Sequence, residues 1–91
     1  MELVELGRIV DSFGLYGDVK ILSSTSFADK RYQIGNHVIL ENPKTKQQET
    51  LTVIAYRNQL DIDIVRFNEI NTKEDALAKK GYLIKAEKDL S

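Results

Sequence analysis

The alternation of apolar and polar residues divides the chain into short runs with the period of a β-strand. Residues 3–10, LVELGRIV, are rich in Leu, Val and Ile. Residues 18–22 set Val19 and Ile21 against Asp18 and Lys20. Residues 37–41, HVILE, are a short apolar run, and residues 50–57, TLTVIAYR, are β-branched and aromatic. Residues 60–67, LDIDIVRF, put Leu60, Ile62 and Ile64 on one face and Asp61 and Asp63 on the other. Val65 and Phe67 then fall on the opposite parity, so a bulge near Ile64–Val65 is expected to return all five apolar side chains to one core. Residues 82–86, YLIKA, read as a sixth strand, and Val19, Ile21, Val53 and Ile62 are expected in the core.

Turn signals separate these runs. Gly14 and Gly17 bracket Leu15-Tyr16, Gly35-Asn36 leads into the third strand, and Asn42-Pro43 opens a polar loop. Asn58-Gln59 is placed to close a two-residue hairpin. One helix is expected over 72–80, with Thr72 as its cap, Asp75 three residues on and Gly81 at its end. A weaker helical turn is expected within 26–34. Six short strands and one short helix predict an all-β fold, a small six-stranded antiparallel barrel whose closure removes exposed edges. It occupies residues 1–86, and residues 87–91 read as the start of a linker or a cut end.

At 91 residues there is room for one domain. No cysteine and a single histidine exclude disulfides, thiolate sites and multi-histidine metal sites. No run approaches the ~20 apolar residues of a membrane span. The start, MELVELGRIVDS, lacks the pattern of a signal peptide, so a cytoplasmic protein is expected. Net charge is −1, unlike a bulk nucleic-acid binder, although residues 20–50 hold five basic residues against three acids.

Candidates for chemistry are few, and no catalytic, cofactor or metal site is expected. Asp61 and Asp63 are read as a solvated outer face, and His37 as a structural residue, hydrogen-bonded or exposed. Ser23-Ser24-Thr25-Ser26 is read as a loop whose hydroxyls cap the next turn. The FGLYG segment lacks the form of a phosphate loop. Binding is the better prospect. Leu15 is expected to plug one end of the barrel, and Tyr16 to offer an exposed contact beside Phe13. Lys20, Lys30 and Arg31, with Lys44 and Lys46 on the polar loop, are candidates for phosphate contacts.

Gly7-Arg8-Ile9-Val10, followed by residues 13–20, FGLYGDVK, resembles the opening of the N-terminal domain of the bacterial ribosome maturation factor RimM. Thr25-Ser26-Phe27, Leu51-Thr52-Val53 with Arg57, and Phe67-Asn68-Glu69-Ile70 before the helix resemble later segments of that family, in order. Phe13 stands where a polar residue or histidine is common, Tyr16 where a basic residue is usual, and Ser26 where an acid is usual. The resemblance implies a translation-factor-type barrel that assists late assembly of the small ribosomal subunit and processing of its rRNA. The implied partner is the immature small subunit, with rRNA contact left open. Small-subunit ribosomal protein nineteen would be bound through a second, PRC-type barrel beyond this chain. No membrane partner and a monomer are expected. The alternative is a generic small-barrel RNA-binding module, recognised by a steep salt dependence.

Overall fold

The computed structural model describes residues 2–88. Its elements are β1 (Leu3–Phe13), β2 (Asp18–Ser23), α1 (Ala28–Arg31), β3 (His37–Glu41), β4 (Gln48–Gln59), β5 (Ile62–Phe67), α2 (Lys73–Ala78) and β6 (Leu83–Glu87). Every strand pairing is antiparallel, and the strands close in the ring β1-β2-β5-β4-β3-β6. The six expected strands are all present. Among the described residues there are two short helices, because the weak 26–34 signal yields α1 as a single turn. Asp75 N–H donates to Thr72 Oγ1 at 3.0 Å, which caps α2 as its sequence predicts. The tail residues 89–91 lie outside the described residues.

Strand β4 makes the corner of the ring. Residues 48–52 pair with β3, and residues 53–59 pair with β5. The register shifts between Val53 and Ala55, so the inward parity changes from Leu51 and Val53 to Tyr56 and Asn58. The expected bulge at Ile64–Val65 is therefore absent: β5 pairs regularly with β2 there, and the extra residue sits in its other neighbour.

The same pairing reverses the expected phase of β5. Val65 and Phe67 are fully buried and draw Asp63 inward with them, only 4% exposed. Ile62 is half-buried instead of being part of the core, and Leu60 is exposed in the hairpin turn with φ of 57°. The turn residues are Leu60-Asp61, since Gln59 pairs with Ile62; Asn58 and Gln59 belong to the strand. Val19, Ile21 and Val53 are in the core as expected, with Leu6, Ile9, Val38, Leu40, Leu51 and Ile84. Tyr32, just after α1, closes one end of this core, and Ile70, just before α2, closes the other.

Candidate functional site

The β1–β2 hairpin is built by its glycines. Gly17 has φ of 93° and lies against the backbone of Ile70 and Asn71; a Cβ there would stand 2.5 Å from the Ile70 carbonyl oxygen. Ile70, not Leu15, therefore stoppers this end. Leu15 and Tyr16 are turned outward, 69% and 68% exposed.

Beside the hairpin, the outer face of the sheet gathers cations over aromatic rings. Phe13 is not in the turn but at the end of β1. Lys20 Nζ lies 5.6 Å and Arg57 Cζ 4.8 Å from its ring centroid. Arg66 Cζ lies 5.7 Å from the Tyr16 ring, and its Nε donates to Asp18 Oδ1. The registers explain this gathering. Lys20 on β2 pairs with Ile64 on β5, which pairs in turn with Arg57 on β4. Ile64 is thus buried on the outer surface, flanked by the two cations.

The expected contact residues divide. Phe13, Tyr16 and Lys20 come together. Lys30 and Arg31 lie on α1 at the opposite end of the barrel, where Lys30 covers Phe27 and Arg31 donates to the Glu87 carbonyl. Lys44 and Lys46 are at the hairpin's end, but they rise between β3 and β4 across the ring. In their stead Arg57 lies over Phe13 and Arg66 over Tyr16. Counting alternate residues back from buried Phe67 would have put Arg66 outside; Arg57 needed the β4 bulge.

The opposite end holds a buried polar network. Asp63 accepts from Ser23 Oγ, from Tyr56 Oη at 2.9 Å and from Asn58 Nδ2 at 3.0 Å. Ser23 Oγ is also 3.4 Å from Tyr32 Oη. Burial pushes the Tyr32 phenol up to about 12, the Ser23 contact opposing this and the Asp63 charge adding to it. Tyr56 is likewise pushed up to about 12, by burial and then by its hydrogen bond to Asp63. These interactions complete a core. His37 and Thr25 are structural as well: His37 Nδ1 is 3.2 Å from Thr52 Oγ1, and Thr25 Oγ1 accepts from Phe27 N–H. Among the described residues, no group of three or more His, Cys, Asp or Glu is placed to hold a metal, and no helix is long and apolar enough to cross a membrane.

The sequence matches the family model described as RimM N-terminal domain over residues 4–91. The chain belongs to the RimM family. Its relatives include the ribosome maturation factor RimM of Streptococcus pneumoniae, 37% identical over all of this chain and 54% of the relative. The RimM of Streptococcus pyogenes is 32% identical over 98% of this chain and 52% of the relative. The chain thus spans about half the length of these curated RimM relatives. A crystal structure of a Pseudomonas aeruginosa RimM, assigned to 16S ribosomal RNA processing, superposes with a TM-score of 0.84. It covers 98% of this chain and 53% of the other at 22% identity, a likeness in fold.

Proposed function

We propose that this RimM barrel docks on the immature small ribosomal subunit and assists its late assembly and the processing of its rRNA. The observation that carries the reading is the family match over residues 4–91. The exposed hairpin gives it a contact surface, with Tyr16 at the tip and the Phe13–Lys20–Arg57 group behind it. The role is non-enzymatic. Selective binding to one conformation of the assembling particle shifts its population toward that conformation and needs no bond chemistry. The setting is the cytoplasm, where ribosomes assemble, and the domain acts as a monomer. In this reading, small-subunit ribosomal protein nineteen is bound by the family's second, PRC-type barrel and not by this one.

The test compares the chain's binding to immature and mature small subunits. Preferential binding to immature subunits is expected. Tyr16→Ala should weaken it severalfold at unchanged melting temperature, because the exposed ring contributes little to the core. Equal binding to mature subunits and to unrelated RNA would instead favour a generic RNA-binding module.

A further inference from the structure

The outer face of β1, β2, β5 and β4 differs in charge from the molecule as a whole. Arg8, Lys20, Arg57 and Arg66 project from it against Glu5, Asp11 and Asp18, four cations to three carboxylates, in a chain of net charge −1, and Glu5 lies where β1 pairs with β6 and not with β2. Asp18 is committed to Arg66, and Asp11, paired in register with Lys20, accepts from the Ser12 amide at 2.8 Å. Lys20 and Arg57 are held differently. They lie two strand spacings apart, about 9 to 10 Å between backbones, and lean toward one ring. A cation over an aromatic face is held in place while keeping its charge and outward N–H groups.

We propose that this face binds RNA directly, with Lys20 and Arg57 as ligands of backbone phosphate and the Tyr16 ring as a platform for one unstacked base. The inference rests on the maturation-factor reading and deepens it, since docking alone leaves open whether the hairpin meets RNA or protein. Three features favour RNA. The cations are prepositioned by Phe13 instead of being quenched by carboxylates. The Arg66 guanidinium, anchored by Asp18, holds the Tyr16 ring while leaving it largely exposed. Ring and cations lie side by side at one end of one sheet, the combination that single-stranded nucleic acid requires. A protein-docking surface of this kind would be expected to have an apolar centre; here the exposed apolar side chains, Leu15 in the hairpin and Leu22 on β2, lie toward the two ends of the face, and Ile64 between the two cations is covered.

The experiment measures binding of the chain to protein-free small-subunit rRNA over a salt series, alongside docking to immature subunits. Two phosphate contacts on unpaired RNA give a salt slope of about −1.4. Arg57→Ala should lower its magnitude to about 0.7, and Arg57→Lys should retain it. Tyr16→Ala should weaken binding by about 5- to 150-fold, one lost base stack, without changing the slope. Lys30→Ala removes the same charge at the other end of the barrel and should change neither. If subunit docking persists but free rRNA is not bound, or if Lys30→Ala acts as strongly as Arg57→Ala, the RNA site is overturned. Failure to dock on immature subunits, with RNA binding intact, would instead sink the maturation reading and leave the site standing.

Discussion

Asp63 and Ile62 exchange the roles that their alternation assigns them. The segment Leu60–Phe67 fits two phases, one burying the even apolar residues and one burying Val65 and Phe67. The second prevails because Val19 and Tyr56 pair across Val65, and Val53 across Phe67, inside the ring. Turning a carboxylate inward is costly unless it is hydrogen-bonded. Its donors stand 40, 7 and 5 residues away in sequence, so no local window could have shown that they are available. The network leaves an alkaline signature. Unfolded tyrosines lose their protons near pH 10. Tyr32 and Tyr56 hold theirs up to about 12 in the folded state. The stability tied to these protons is intact below pH 10 and is lost as pH rises from 10 through about 12. A series of urea midpoints should stay level to about pH 9 and then fall. Tyr56→Phe, less stable at neutral pH, should show a shallower fall; parallel curves would remove Tyr56 from this account.

At the level of elements, the strands were legible wherever both faces differed in polarity, and α2 was legible from its cap and its final glycine. Three features were not. The β1 strand runs on to Phe13 because Ser12 and Phe13 pair with β2, although neither continues the apolar pattern. The bulge falls in β4 because that strand must leave β3 for β5, a demand of ring closure. The hairpin's glycines were visible, but not their different burdens. Gly14 has φ of 73° and open space around its Cβ position, whereas Gly17 meets the Ile70 backbone. Gly14→Ala should cost about 1 to 2 kcal/mol, the price of a left-handed non-glycine residue. Gly17→Ala adds an overlap with rigid backbone and should cost about 1 to 3 kcal/mol more. Denaturant titration of both variants checks the order, and equal losses would mean that the Ile70 segment yields.

Across the whole molecule, ring closure decides which charges meet. The basic excess of residues 20–50 is spread over β2, α1 and the β3–β4 loop. Antiparallel closure sends the last two to opposite ends, so Lys30 and Arg31 part from Lys44 and Lys46. Arg57 and Arg66, from a segment of balanced charge, reach Phe13 and Tyr16 respectively because β5 lies between β2 and β4. Topology, more than local charge density, makes the candidate face. The same closure rests on one late stave. Strand β6 pairs with β1 on one side and β3 on the other, and it places fully buried Ile84 between them. Ile84→Ala should cost about 2 to 5 kcal/mol. A small domain has only about 5 to 15 kcal/mol in total. Deleting residues 82–91 removes that side chain, Ala86 and two ladders together, and it opens the β1 and β3 edges. The loss exceeds what such a domain can lose and remain folded. The deleted chain should show no cooperative thermal transition by circular dichroism, while Ile84→Ala should still melt in one step at a lower temperature. A sharp transition in the deleted chain would mean that β1 to β5 fold as an open sheet, with closure an addition to an independent core.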